Sequence, residues 1–171
     1  MKLKLEYLPR MITEPKNTFK SAIEVDASGT ALFIVLLASL LYGIAGLSIG
    51  TIITSVVRGV ILYFLLNALS SWFAVKIFKS KGNYNKTLII AGLANVPTLL
   101  FGFIYILTVL LNFNEIIIGL LTWPFLIWLI ILFVKGFMIA HEINLWKSLV
   151  SVFLPSFIVV SILTLITIVF L

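Results

Sequence analysis

KSKGNYNKTLIIAGLANVPTLLFG, residues 79–102, decides how this chain is built. A basic loop containing Gly82 runs straight into an apolar segment that carries Asn95, Pro97 and a row of small residues. From Thr87 to Leu111 there are 25 residues without a formal charge. As a helix they would span about 37 Å, against a hydrocarbon core of about 30 Å. The stretch reads as a membrane helix over 87–111, the third of five, with two apolar segments before it and two after.

Working back toward the N-terminus, Gly29 to Val75 comprises 47 residues with a single charge, Arg58. One straight helix of that length would be about 70 Å long, more than twice the core thickness. A hairpin of two spans is therefore expected, over 29–49 and 56–77, with the polar run Gly50–Gly59 as its turn. Toward the C-terminus the apolar stretches 116–140 and 148–171 supply the last two spans. Residues 1–28 form a tail of mixed charge in which Thr13 as N-cap, Pro15 behind it, and Phe19 and Ile23 at i,i+4 read as a short amphipathic helix at the membrane interface. The expected fold class is all-α: an integral membrane bundle of five transmembrane helices behind a short interfacial helix.

Composition agrees. The 171 residues are 62% apolar and 11% charged, with a mean hydropathy of +1.24, far from the soluble average of about 45–50% apolar and 25% charged. Five spans leave no length for a separate soluble domain. Cysteine is absent, which removes disulfides and thiol chemistry together. A net charge of +6 could point to nucleic acid, but the basic residues are short clusters beside apolar runs, so the partner they imply is the anionic inner leaflet of the bilayer. The first apolar run is too long for the core of a signal peptide, and no cleavage is expected.

Charge also orients the chain. Lys2, Lys4, Arg10, Lys16 and Lys20 lie in the tail, Lys76, Lys79, Lys81 and Lys86 in the central loop, and Lys135 and Lys147 near the last loop, all on one side; only Arg58 falls opposite. The positive-inside rule then places the N-terminus in the cytoplasm and the C-terminus outside. The loop lysines 76, 79, 81 and 86 are candidates for lipid headgroups, although topology alone also explains them.

Lipid gives apolar side chains no reason to associate, so helix packing relies on small residues that let backbones approach. Ser39, Gly43, Gly46 and Gly50 at i, i+4, i+7 and i+11 form such a face on the first span, and Ala91, Asn95, Thr98 and Gly102 repeat the spacing on the third. The second offers Gly59, Asn67, Ser70 and Ala74. These faces are expected to meet inside one bundle, with Leu100, about 160° around the helix from Thr98, turned toward lipid. Pro97, Pro124 and Pro155 fall one in each of the last three spans and predict kinks, unless Pro124 starts its helix behind Thr122.

Few residues could carry chemistry. Arg58 reads as a cation snorkelling from the second span toward the outer surface, near Glu115; a functional cation is the alternative. Lys135 reads similarly near an inner end. Asn67 and Asn95 are placed to hydrogen-bond each other or the carbonyl freed by Pro97, and the alternative is a solute path lined by Asn67, Asn95, Thr98 and Arg58. His141 and Glu142 are adjacent, hence about 100° apart on a helix, with no second ligand at i+4; His141 reads as an interfacial side chain and neither a metal site nor a cofactor site is expected. No Ser/His/Asp set assembles, so catalysis is not expected.

Three stretches carry a resemblance: EPKNTF at 14–19, GNYNKTLIIAGLANVP at 82–97, and WLIILFVKGFMIAHEINLWKSL at 128–149. The chain resembles the Yip family, Ypt/Rab-interacting membrane proteins with a five-span domain. That resemblance implies a non-catalytic scaffold or adaptor that binds other membrane proteins or itself and, in eukaryotes, small GTPases. Here the tail is about 28 residues and lacks the Asp-Leu-Tyr-Gly-Pro run of eukaryotic members, which counts against GTPase binding. A small transporter or channel subunit built on the polar faces of the second and third spans is the alternative.

Overall fold

Polar side chains at the starts of four helices set the architecture. Ser48, Asn83, Asn114 and Asn144 accept the backbone N–H groups of Thr51 (3.1 Å), Lys86 (2.9 Å), Ile116 (2.9 Å) and Lys147 (3.0 Å), which satisfies donors that a helix start leaves orphaned. The structure, a computed structural model, describes residues 3–170. Lys2 of the basic tail and the last residue of the expected fifth span lie outside the described residues, as does the side chain of Glu115.

Eight helices follow in order: α1 (Tyr7–Thr13), α2 (Pro15–Glu24), α3 (Ser28–Ala45), α4 (Ile49–Lys76), α5 (Tyr84–Ala94), α6 (Val96–Leu110), α7 (Glu115–His141) and α8 (Leu145–Phe170). No strand occurs among the described residues. Four stretches are long and apolar enough to cross a membrane: Ser28–Ala45, Ile49–Lys76, Tyr84–Leu110 and Ile116–His141; a shorter apolar helical stretch, Leu145–Val159, follows. Large side chains such as Ile116, Leu120, Trp123 and Ile127 point away from the bundle at i, i+4, i+7 and i+11 of α7, a stripe that only an apolar solvent would accommodate. This is a multi-pass membrane protein.

The turn between the first two spans is not at Gly50–Gly59. The chain leaves α3 at Gly46, passes Leu47 with φ 56°, and re-enters helix at Ile49. The Ser48 cap overrides the weak helix propensity of Gly50, Thr51 and Thr54, and the two threonine hydroxyls donate at 2.8 Å to the carbonyls of Ser48 and Gly50. Gly50 therefore belongs to α4, where a Cβ would meet nothing nearer than Ser48 Oγ at 3.8 Å, and it drops out of the packing face expected of the first span.

α3 is the hub, packing on α4, α5 and α6. Its crossing with α4 depends on Gly43, where a Cβ would lie 2.6 Å from Ile52 Cα, and on Ser39, which sits against Gly59. Gly46 faces the Thr51 side chain in the same seam.

The third span is broken in two at Asn95. Pro97 occupies the first turn of α6, the Asn95 N–H bonds Gly92 O at 3.1 Å instead of continuing the α-pattern, and the carbonyl of Ala91 is left without its usual donor. Asn95 Nδ2 fills that place at 2.8 Å. The expected Asn67–Asn95 bond and the expected bond to the carbonyl ahead of Pro97 are thus both replaced by a bond within the span's own backbone. Below the break, Gly102 packs on Leu41, whose Cβ would lie 2.9 Å from an added methyl. Leu100 is partly buried against the main core rather than turned to lipid; Phe103 and Leu107 hold the exposed face. Pro124 and Pro155 lie inside α7 and α8, so Pro124 does not start a helix.

At the tail end the expected interfacial helix is two helices docked on the bundle. Thr13 ends α1 and caps nothing in α2, whose Ncap is Glu14 without a side-chain bond. Phe19 and Ala22 are fully buried, and Phe19 closes over Gly136 of α7 beside Ile90 of α5. The apolar face read as membrane-seeking is occupied by protein instead. Between α2 and α3, Asp26 accepts from Asn85 at 3.0 Å; this bond, and a further one from Ser28, hold its carboxyl below the usual range.

Candidate functional site: a polar cavity within the bundle

Ser55, Gly59, Leu62, Leu66 and Ser70, spaced by three or four residues, form one face of α4, with Arg58 and Asn67 at its two edges. The small residues Ala38 and Ser39 of α3, with Ala91 and Ala94 of α5, keep the opposite walls back and leave a cavity of about 450 Å3. Asn95 and Thr98 line it from the break in the third span, Leu129 and Phe133 from α7, and Ser156 from α8.

Of the residues singled out from sequence, the cavity brings together Ser39, Arg58, Gly59, Asn67, Ser70, Ala91, Asn95 and Thr98. Arg58 is ten residues into α4 rather than at its outer end, because α4 begins at Ile49. Asn67 is 5% exposed; its Nδ2 donates to Tyr63 O at 2.6 Å while Oδ1 has no partner. Tyr63 Oη donates to Leu88 O at 2.7 Å and ties α4 to α5 beside the cavity. Among the described residues no carboxylate lines the space. Tyr42, Tyr63, Ser55 and Ser156 were missed from sequence; the period-3.6 pattern across 55–70 could have found Ser55, had the helix not been broken at 50–59.

Lys135 lies elsewhere. It borders a groove of about 420 Å3 between α2 and α7 with Lys16, over Phe19, Met138 and Ile139. The loop lysines 76, 79 and 81 are exposed, Lys86 is half-buried, and Lys81 pairs with Glu142 at 3.1 Å with both side chains in solvent, which adds little stability.

His141 is fully buried, not interfacial. Its ring stacks on Phe137 with centroids 4.3 Å apart, Nδ1 lies 2.8 Å from Ser80 Oγ, and Nε2 lies 2.7 Å from Thr87 Oγ1. Thr87 donates its one proton to Asn83 O at 3.1 Å, so Nε2–H donates to Thr87 and Nδ1 accepts from Ser80. Gly82 completes the cluster: a Cβ there would lie 2.5 Å from His141 Cγ and 2.7 Å from Ala140 O. Phe19, Ile90 and Gly136 meet nearby, so all three stretches that carried the resemblance converge at this end of the bundle.

A multi-helix membrane bundle with a broken third span and a half-open cavity lined by apolar and a few polar side chains is the class defined by this fold and site. Residues 10–167 match the Yip1 domain, and the chain belongs to the Yip1 domain family. No curated protein and no solved structure matches it.

Proposed function

We propose that this chain is a non-catalytic membrane protein that acts as a scaffold or adaptor for other membrane proteins, with its N-terminus and lysine-rich loops on the cytoplasmic side. The observation that carries the reading is that His141, Asn95 and Ser148, polar groups inside the bundle, have their hydrogen-bonding capacity taken up by the protein itself. Both nitrogens of His141 are taken by hydroxyls, Asn95 completes its own helix, and Ser148 Oγ bonds Val134 O between α8 and α7 at 3.0 Å. A side chain so engaged is a poor base or nucleophile. Photo-crosslinkers placed at exposed Val57 and Ile127 should capture discrete proteins in native membranes. Adducts with lipid alone, from both positions, would defeat the adaptor reading.

The cavity favours a second reading, a small transporter or channel subunit. Purified protein in liposomes is expected to show no solute or proton flux; a leak removed by Arg58→Ala or Asn95→Ala would establish transport instead.

Orientation has a direct test, since the chain has no native cysteine. Lys81→Cys should be labelled only from the cytoplasm and the exposed Leu47→Cys only from outside; the reverse pattern would invert the topology.

A further inference from the structure

We infer that the groove between α2 and α7 is a binding site for one anionic phospholipid, its phosphate held between Lys16 and Lys135 and its acyl chains running along α7 past Ile131. Such a site needs only the bilayer that the fold requires, and neither the adaptor role nor the orientation proposed above.

Lys135 stands where a cation needs an anion. The apolar stretch of α7, Ile116–His141, has 26 residues and spans about 39 Å, against a hydrocarbon core of about 30 Å. Lys135 lies six residues before its end, which is about 9 Å along the helix, at the hydrocarbon boundary or a few ångströms inside it. A lysine at that depth snorkels toward the headgroups and is costly without a counter-charge. The protein supplies a second cation instead, since Lys16 lines the groove from the facing wall on α2. Both lysines are exposed; among the described residues neither makes an ion pair, and no carboxylate lines the groove. Glu14, the nearest carboxylate in sequence, accepts from Asn17 Nδ2 at 3.5 Å. Two like charges brought to one groove repel unless an anion sits between them.

The remaining walls decide what carries the anion. Lys135, Met138 and Ile139 share one face of α7 at i, i+3 and i+4, and Pro15, Lys16 and Phe19 share one face of α2. Four of these six lining side chains are apolar, and Phe19, fully buried, forms the floor. Ile131, one turn deeper than Lys135 on the same side of α7 and 45% exposed, continues the apolar surface toward the middle of the bilayer. A free phosphate gains nothing from that surface. A phospholipid meets the lysines with its phosphate and the apolar side chains with its own chains. At about 420 Å3 the groove falls within the range of small-molecule sites, about 300–1,000 Å3. That is room for a headgroup and glycerol, with the acyl chains outside in the bilayer.

The intact chain, purified in an uncharged detergent, is offered an equimolar mixture of phosphatidylglycerol and phosphatidylcholine, and the retained lipid is read by native mass spectrometry. One phosphatidylglycerol should be retained in preference to phosphatidylcholine, and millimolar inorganic phosphate should not displace it. Lys16→Gln and Lys135→Gln should each lower that preference about fivefold, and together about twenty-fivefold, the scale set by lysines at a membrane surface. Both changes are at exposed positions, so the lipid-free variants should unfold at the parent's temperature. Met138→Trp fills the groove and should lower retention with every charge kept. Lys79→Gln with Lys81→Gln removes the same charge from the central loop and should have a smaller effect than the groove pair. Equal retention of the two lipids, an equal or larger loss from the loop pair, full retention in Met138→Trp, or displacement by inorganic phosphate would each overturn the proposal. A photo-crosslinker at Ile139 in native membranes should form lipid adducts; protein adducts alone would make the groove a docking surface for a partner and sink the lipid assignment.

Discussion

Gly92→Leu is expected to leave no folded bundle, and Gly92→Ala to cost about 2–3 kcal/mol through overpacking that side-chain motion cannot relieve. The reason is the crossing of α5 and α3. A Cβ at Gly92 would lie 2.5 Å from the carbonyl oxygen of Ala31 and 2.6 Å from its carbonyl carbon, so the obstacle is backbone. At Gly102 the obstacle is the Leu41 side chain at 2.9 Å, which can rotate, and Gly102→Ala should cost about 1 kcal/mol, with Gly102→Leu in the range of about 1–3. Gly119 of α7 has nothing within 4 Å of its Cβ position, and Gly119→Leu should be neutral. Thermal unfolding in one detergent, followed by circular dichroism, ranks the three sites. Should Gly92→Ala prove as stable as Gly119→Ala, the two helices do not cross at Ala31.

That crossing shows what the sequence could and could not convey. Small residues at helical spacing announced that α3, α4 and the third span approach closely, and Gly43, Gly59 and Gly102 do sit at contacts. Gly92 was overlooked because the face drawn from the sequence ran through Ala91, Asn95 and Thr98, which line the cavity, whereas Gly92, about 100° around α5 from Ala91, meets α3 at Ala31. Gly136 was overlooked because its partner, Phe19, lies 117 positions earlier, a separation no local pattern encodes. The α3–α4 turn was misplaced for a local reason. Gly50, Thr51 and Gly59 look like turn residues, yet one serine hydroxyl at Ser48 captures the helix start and the threonines bond back to their own backbone.

The cavity was more legible than the turn. Arg58, Asn67, Asn95 and Thr98 stand out because polar groups are rare in these spans, and all four line the cavity, Asn67 buried and Arg58 exposed. Direct pairing of the two asparagines was the wrong inference from that rule. Each amide found a carbonyl four residues back on its own helix, the nearest acceptor available before tertiary contacts form.

His141→Phe is expected to cost about 2–3 kcal/mol even though the new ring keeps its stack on Phe137, because removing one partner leaves buried hydroxyls unsatisfied. Ser80 loses its acceptor at 2.8 Å and Thr87 its donor at 2.7 Å, while Thr87 retains Asn83 O at 3.1 Å. The penalty should therefore fall mainly on the loop holding Ser80 and Gly82, which links α4 to α5. Replacing partners together tests this. If the cost is orphaned hydroxyls, Ser80→Ala and Thr87→Val added to His141→Phe should restore roughly half of the lost stability, since deleting both sides of a buried hydrogen bond is cheaper than deleting one. If the cost is ring packing, the three changes will simply add. The same cycle decides how the family's three recognisable stretches cohere: recovery would mean that one imidazole, bonded to the central loop and to α5, fixes the end of α7 against both of them.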